Sequence, residues 1–273
     1  MDALILGGTG DQDYSGLYKK VNAQLCPESV DRNVGSLVQL MDFYHDVGRE
    51  DLYCKYIYKL HEEMKRCILE LGFVGFQIGS HINDWNLDES SLTPVWRTAE
   101  ELDVPIFVHP WGLRTQGRLQ NYWLPWLIDM PAETAIAIAS VVMGGVLERH
   151  GKLRLVFAHG GGCYPALIGR ISHGYSVRPD LCATKCDKNP VEYLGRFWTD
   201  SLVHDERALQ YLIDTVGEDR VMLGSDYPFP LGEHHPGKMI QDFSSNQEIK
   251  NRLLWENAAK CFNLPIGGAE NDG

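Results

Sequence analysis

Three polar residues each follow a short apolar run, and together they could hold a metal ion. His109 lies in PIFVHPW, His159 in LRLVFAHGGG and Asp226 in RVMLGSDYPFP, and helix-like sequence comes after each of them. In a parallel barrel, the strand ends that open onto the C-terminal face build the active site. Two imidazoles and one carboxylate at such strand ends favour a metal-assisted acid–base site.

The elements that must position these residues alternate regularly from about residue 59 onward. The pattern predicts helices over 59–72, 91–102, 132–150, 164–176 and 205–217. It predicts strands over 74–79, 105–110, 153–161, 196–201 and 220–226, and one more in ALILGG near the N-terminus. Strands that alternate with helices are typical of a parallel α/β protein. Closed barrels and open sheets both fit this periodicity, and functional-looking residues at successive strand ends favour the barrel.

The first 58 residues do not continue the alternation. A full barrel of eight βα units takes about 250 residues, so three further units would need roughly 90. The sequence therefore predicts one domain over residues 1–273. Its N-terminal part, 1–58, is expected to be an incomplete or altered piece of the barrel, whereas 59–265 carries regular βα units.

The composition limits the class of partner and of compartment. The chain has 44% apolar residues and a net charge of −12, which argues against nucleic acid or an anionic membrane as the main partner. Seven cysteines without C-x-x-C spacing favour reduced thiols in a cytosolic protein. The longest apolar stretch, Ala135–Leu147, is shorter than the ~20 residues of a membrane span, so it is expected to be a buried core helix.

Five further residues have two interpretations each. Asp200, in FWTDS, could orient a histidine or cap the next helix, and the cap is favoured slightly. Arg114, Arg118 and Arg170 could pair with substrate carboxylates, since guanidinium binds them bidentately. A surface ion pair is the favoured interpretation for Arg114 and Arg118. Trp126, in YWLPW, could line a pocket or pack in the core.

A series of longer motifs resembles a known family. HPW, YWLPWL, MPAETAIAI, MGGVLERH, FAHGGG, GRISHGY, TDSLVHD and GSDYPFPLGE occur in this order between about residues 60 and 265. They resemble the 2-amino-3-carboxymuconate-6-semialdehyde decarboxylases of the amidohydrolase superfamily. The resemblance implies a (β/α)8 TIM-barrel-like metal-dependent hydrolase fold, one zinc ion and a cytosolic homodimer. It implies non-oxidative decarboxylation of that dicarboxylate semialdehyde in tryptophan breakdown by the kynurenine pathway, which limits quinolinate and NAD synthesis.

The resemblance also assigns roles to individual residues. His109 and Asp226 match the family's zinc ligands, and Asp226 is counted among the catalytic residues as well. His159 matches the general acid/base beside the metal. The implied substrate-binding residues are Arg170, which reaches the site of the neighbouring subunit, and two pocket walls, Trp126 and Phe229.

One departure from the family pattern concerns the metal. The family takes two further zinc ligands from an H-x-H motif on its first strand, and this chain contains no H-x-H. Two protein ligands would remain, whereas catalytic zinc usually has three. The zinc site is therefore expected to be incomplete, unless His45, His61 or His81 replaces a ligand. Three functions follow as hypotheses: the decarboxylase, a catalytically impaired chain that acts as an interaction partner, and another zinc-dependent hydrolase of the superfamily.

Overall fold

The strands that carry the candidate residues belong to one parallel sheet. The computed structural model describes residues 4–5, 50–82, 84–243 and 246–265, with side chains from residue 57 onward. Its strands are β1 (Leu4–Ile5), β2 (Phe76–Gly79), β3 (His81–Ile82), β4 (Trp85–Asn86), β5 (Ile106–His109), β6 (Leu155–Phe157), β7 (Trp198–Asp200) and β8 (Val221–Met222). Six of them form a parallel sheet in the order β1-β2-β5-β6-β7-β8, and β3 pairs with β4 as a short antiparallel hairpin. The five strands predicted from residue 74 onward and the strand in ALILGG are confirmed.

Helices follow most strands of the sheet and cover it. They are α1 (Glu50–Leu69), α2 (Thr93–Glu101), α3 (Met130–Met143), α4 (Val146–Arg149), α5 (Tyr164–Val177), α6 (Pro179–Cys182), α7 (Glu206–Val216), α8 (Lys238–Phe243), α9 (Gln247–Asn251) and α10 (Asn257–Cys261). A π-helical turn, Pro125–Asp129, leads directly into α3, so helical structure begins before residue 132, where the sequence predicted the helix to start.

The predicted helix over 132–150 is interrupted near its end. α3 ends at Met143, and Gly145 has a φ of +70°, a left-handed conformation that ends the helix before α4 begins. Pro125–Met143 is long and apolar enough to cross a membrane by length and composition alone. Within α3, however, Ala137, Ile138, Val141 and Val142 are fully buried in the protein core, as predicted for this stretch.

The core lies between the sheet and these helices. Phe157 of β6 packs edge-on against Phe197, with ring centroids 5.6 Å apart, and Tyr164 of α5 contacts the same Phe197 ring at 6.1 Å. All three side chains are nearly inaccessible to solvent. Because β6 is buried on both faces, Leu155 through Phe157 read as a continuous apolar run, as is usual for a parallel strand.

The sheet accounts for part of the predicted barrel. Among the described residues, β1 and β8 form the two edges of a six-stranded sheet and are not paired with each other. Asn257 of α10 covers the β8 edge, because its Nδ2 donates to the carbonyls of Val221 at 2.7 Å and Glu218 at 2.8 Å. The incomplete or altered segment predicted over 1–58 lies largely outside the described residues. The single-domain organisation stays a prediction.

Candidate metal centre

His109, His159 and Asp226 come together at the C-terminal edge of the sheet, as predicted from their strand ends. Asp226 Oδ1 lies 3.5 Å from His109 Nε2 and 3.6 Å from His159 Nε2. The two imidazole rings meet edge to face, with centroids 4.8 Å apart. Each of the three side chains is less than one fifth exposed, since the exposed fractions are 18%, 12% and 11%. The cluster is thus a partly enclosed pocket of two nitrogens and one carboxylate.

A hydrogen bond from His109 Nδ1 orients the imidazole ring so that Nε2 faces the cluster. His109 Nδ1 lies 3.1 Å from the carbonyl oxygen of Pro110. A carbonyl can only accept, so Nδ1 carries a proton, and Nε2 is the nitrogen that faces Asp226: it donates to the carboxylate when it is protonated and is free to bind a metal ion when it is not. A second hydrogen bond of this kind is the usual way in which proteins fix the tautomer of a metal-binding histidine.

The charges of the cluster reinforce one another. Burial alone would raise the pKa of Asp226, but hydrogen bonding to His109 and His159 outweighs it and holds that pKa well below its ordinary value. Burial alone would lower the pKa of His159, but hydrogen bonding to Asp226 and the negative charge of Asp200 raise it overall. The carboxylate is therefore ionised and available as an anionic ligand.

The donor set fits a divalent transition metal. Two ligand atoms about 2.1 Å from a tetrahedral zinc ion are about 3.4 Å apart. The observed carboxylate–imidazole separations of 3.5 and 3.6 Å lie close to that value. All three candidate ligand atoms lie within 4.8 Å of one another. Imidazole and carboxylate ligands together suit zinc, manganese and iron. Which of these ions binds therefore depends on the ligands at the remaining coordination positions.

Two of the three residues have a strained backbone. His159 has a φ of +57° and Asp226 a φ of +50°, and both values lie in the left-handed region that residues with a Cβ seldom adopt. Such strain persists where the surroundings enforce it, and it is concentrated at functional sites. The turn after His159 consists of Gly160, Gly161 and Gly162, all with positive φ.

Comparison with known proteins places the chain in a family. The sequence profile described as Amidohydrolase matches residues 57–264. That match spans most of the chain and includes all three residues of the cluster.

The chain belongs to the amidohydrolase family.

Decarboxylases are among its relatives. It is 52% identical over 204 residues to a 2-amino-3-carboxymuconate-6-semialdehyde decarboxylase of Dictyostelium discoideum, which covers 74% of this chain and 57% of that protein. It is 44% identical over 237 residues to the enzyme of the same name from Caenorhabditis elegans, covering 76% and 59%. The chain thus spans less than two thirds of the length of these curated relatives.

A solved structure supports the barrel. The 5-carboxyvanillate decarboxylase of Novosphingobium aromaticivorans, complexed with manganese and 4-hydroxy-3-methoxy-5-nitrobenzoic acid, superposes with a TM-score of 0.66 at 25% identity, covering 75% of this chain and 60% of that one. The fold of this amidohydrolase is therefore α/β and TIM-barrel-like, as predicted.

Asp200 does not cap the following helix, so the slightly favoured interpretation of the sequence was wrong. Asp205 caps α7 instead, because its Oδ1 accepts from the backbone N–H groups of Arg207 at 2.9 Å and Ala208 at 3.0 Å. The carboxylate of Asp200 is buried and accepts from the backbone N–H of Gly160, directly after His159. An aspartate placed immediately before Glu206 and an apolar period was the signal for the true cap.

The ion pair expected of Arg114 is present, but its partner is not a surface residue. Asp129 is 1% exposed and receives hydrogen bonds from the Arg114 backbone N–H at 2.7 Å and from Nε at 2.8 Å, and Nη2 also contacts it. This pair closes the loop between β5 and α3, which carries Trp126. Arg118 is exposed on the same loop. A carboxylate inside the apolar run PWLIDMP was the available signal for a buried partner.

The residues predicted to bind substrate are not gathered against the cluster by any contact that the structure describes. Arg170 is exposed on α5 and forms no ion pair with the described part of its own chain. Trp126 is 37% exposed and stacks beside Trp123 at 5.7 Å between ring centroids. Phe229 is 45% exposed, in the turn that follows Asp226. Their roles stay predictions.

Two of the three replacement ligands considered from the sequence have other partners. His61 pairs with Glu101 at 3.2 Å on the surface between α1 and α2. His81 Nε2 faces the carbonyl oxygen of Trp111 at 3.1 Å. His45 lies outside the described residues. Within the described ranges, the cluster of His109, His159 and Asp226 is the group that could hold a metal ion.

Proposed function

We propose that this amidohydrolase catalyses the zinc-dependent, non-oxidative decarboxylation of 2-amino-3-carboxymuconate 6-semialdehyde. The observation that carries the proposal is the convergence of His109, His159 and Asp226 at the C-terminal edge of the sheet. It is supported by 52% identity to a decarboxylase of that name over 74% of the chain. The chemistry is a carboxylate that leaves as carbon dioxide and a proton that takes its place.

His109 and Asp226 are proposed to hold the ion. A divalent metal in such a site supplies Lewis acidity toward the substrate. The protonated Nδ1 of His109 leaves its Nε2 free for coordination, and the low pKa of Asp226 keeps its carboxylate anionic. Zinc rather than manganese is proposed because the motifs of this chain resemble those of the 2-amino-3-carboxymuconate-6-semialdehyde decarboxylases, and that resemblance implies zinc.

His159 is proposed to move the proton. When the carbon–carbon bond to the carboxylate breaks, its electron pair remains on the substrate carbon and carbon dioxide departs. His159, as imidazolium, can donate its Nε2 proton to that carbon and become neutral. Its raised pKa, caused by Asp226 and Asp200 against the effect of burial, favours the protonated form.

We propose that substrate binding involves a second copy of the chain. Arg170 is an exposed guanidinium on α5, and Leu167 on the same face of that helix is 37% exposed. Val177 on the same helix and Leu181 on α6 are also exposed apolar side chains, with exposures of 55% and 63%. A homodimer that covers this surface would bring Arg170 toward a carboxylate in its neighbour's site. Trp126 and Phe229 would line the pocket for the conjugated part of the substrate.

The proposal places the protein in the cytosol, on the kynurenine branch of tryptophan breakdown, where it would limit quinolinate and NAD synthesis. The absence of H-x-H from the sequence favours one alternative, in which the chain is catalytically impaired and acts by associating with a relative. Another zinc-dependent hydrolase activity of the family is the third possibility. These functions differ in turnover and in metal content.

The test combines metal titration with turnover. We expect the purified full chain, stripped with a chelator, to bind about one Zn²⁺ and then to consume the semialdehyde with release of carbon dioxide. His109→Ala and Asp226→Asn should each lower Zn²⁺ affinity and turnover together. His61→Ala is a matched control, since His61 pairs with Glu101 on the surface between α1 and α2, outside the cluster.

His159→Ala separates the two roles open to that residue. A general acid/base would leave Zn²⁺ affinity near that of the unmodified chain while turnover falls by 10²-fold or more. If His159 is instead a metal ligand, His159→Ala should lower both Zn²⁺ affinity and turnover. Zinc binding without carbon dioxide release from the semialdehyde would refute the decarboxylase and direct attention to other substrates. No zinc binding at all would favour the impaired chain.

A further inference from the structure

Asp200 occupies a central place between the two strained residues of the cluster. It ends β7, which lies between β6, the strand before His159, and β8, the strand before Asp226. Only 5% of Asp200 is exposed. Its Oδ1 accepts from the backbone N–H of Gly160 at 2.9 Å and from that of Leu202 at 3.0 Å. A buried carboxylate therefore fixes the first peptide after His159.

The opposite side of Asp200 contacts the turn that leads to Asp226. A methyl group on Gly224 would lie 2.5 Å from Asp200 Cβ, 2.6 Å from Cγ and 2.8 Å from Oδ2, closer than real Cβ contacts allow. The backbone of Gly224 thus packs directly on the carboxylate. The neighbouring Ser201 Oγ accepts from the Gly224 N–H at 3.4 Å. The end of β7 touches both turns that carry cluster residues.

Both of those turns need external support. His159 and Asp226 have φ values of +57° and +50°, which are disfavoured for residues that carry a Cβ. The hydrogen bond from Gly160 to Asp200 restrains the peptide next to His159. The packing of Gly224 against the same side chain restrains the segment two residues before Asp226.

We propose that Asp200 is a positioning residue, which sets the register of the turn after β6 against the turn after β8 so that His159 and Asp226 face each other. It does this without being a ligand, through one oxygen that accepts from Gly160 and one face that packs against Gly224. The inference rests on the proposed metal site.

The experiment compares Asp200→Ala with Asp200→Asn in the full chain. Zn²⁺ affinity is measured by competition with a chromophoric chelator, and hydrogen exchange of the Gly160 amide is measured on the metal-free protein. We expect Asp200→Ala to weaken Zn²⁺ binding by 10- to 100-fold, the usual effect of losing a group that orients a ligand. It should also greatly accelerate exchange at Gly160. Asp200→Asn keeps the Oδ1 acceptor and should restore most of both properties.

Asp205→Ala is the matched control. Asp205 also accepts two backbone N–H bonds, and it lies five residues further along, but its acceptor role is confined to the first turn of α7. Its loss should destabilise α7 and leave Zn²⁺ affinity and Gly160 exchange unchanged. Gly224→Ala tests the second contact, because its methyl group would displace the Asp200 side chain. It should weaken Zn²⁺ binding even if Asp200→Ala fails to fold.

Two results would overturn the inference. Unchanged Zn²⁺ affinity and unchanged Gly160 exchange in Asp200→Ala would remove its basis. Equal losses in Asp200→Asn and Asp200→Ala would mean that charge, and not position, is what Asp200 supplies. If the unmodified chain binds no zinc, the proposed function fails, and the exchange of Gly160 still decides the inference. If zinc binds but the semialdehyde is not consumed, the decarboxylase fails while the positioning role is judged on affinity.

Discussion

Gly162 is a residue beside the candidate site at which adding a single methyl group should strongly lower the free energy of unfolding. It has φ +61° and ψ −133°, a combination that is open only to glycine. A Cβ there would lie 2.2 Å from the backbone oxygen of Pro131 and 2.9 Å from Thr134 Cβ. That same oxygen accepts from the Cys163 N–H at 3.1 Å, so it cannot move away without breaking a hydrogen bond.

The cost of Gly162→Ala follows from two contributions. Backbone strain at such a φ/ψ costs about 1–3 kcal/mol. Overpacking against fixed neighbours costs about another 1–3 kcal/mol. A loss of roughly 2–6 kcal/mol compares with a total stability of about 5–15 kcal/mol for a typical domain. We therefore expect a large drop in the urea midpoint, measured by tryptophan fluorescence, and weaker Zn²⁺ binding.

Gly169→Ala supplies a control of opposite sign. Gly169 lies seven residues further along in α5, and a methyl group there meets nothing within 4 Å. Replacing a helical glycine by alanine should stabilise the chain by about 0.5–1 kcal/mol. If the free energy of unfolding of Gly162→Ala lies within about 0.5 kcal/mol of that of the unmodified chain, the loss is well below the expected cost of backbone strain. The backbone argument for this turn is then wrong.

Three further substitutions test the packing around the site. Asp129→Ala removes the buried acceptor of Arg114 and should cost about 1.5–3 kcal/mol, with faster trypsin cleavage after Arg114; unchanged cleavage would contradict the closed loop. Phe197→Ala should cost about 3–5 kcal/mol in urea unfolding, because two aromatic rings pack on it, and a loss below 1 kcal/mol would refute its place in the core. Asn257→Ala leaves the carbonyl of Val221 unpaired and should cost about 1–3 kcal/mol; a Tm equal to that of the unmodified chain would argue against this cover of the β8 edge.

The sequence was sufficient to predict where the candidate ligands lie because the rule for parallel sheets is geometric. Apolar runs ending at His109, His159 and Asp226 place those residues on one edge whatever the details of the helices. The same reasoning could not decide the role of Asp200. Its carboxylate accepts a hydrogen bond from Gly160, in the turn after the neighbouring strand β6, and does not cap the helix that follows it. A contact between residues 40 positions apart leaves no local pattern in the sequence.

Two other differences between prediction and structure, the break in the helix over 132–150 and the buried partner of Arg114, depend on features that hydrophobic periodicity does not detect. The helix predicted over 132–150 breaks because Gly145 adopts a left-handed conformation, and a single conformational angle does not alter the apolar repeat. Asp129 was overlooked because its partner, Arg114, comes from the start of the same loop. A buried carboxylate requires a compensating group, so its presence in an apolar run predicts a cation without identifying it.

The geometry of the site is determined by backbone contacts as much as by the ligands. A Cβ on Gly160 would meet Val203 at 2.4 Å, and one on Gly161 would meet Ile138 and Thr199 at 3.2 and 3.3 Å. The turn after His159 is thus enclosed by α3 on one side and by β7 with the segment after it on the other. Any shift of these elements moves the imidazole, since the turn has no free space to absorb it. Transferring the two histidines and the aspartate to another parallel sheet would therefore not reproduce this site, unless the glycines and the buried carboxylate of Asp200 were transferred with them.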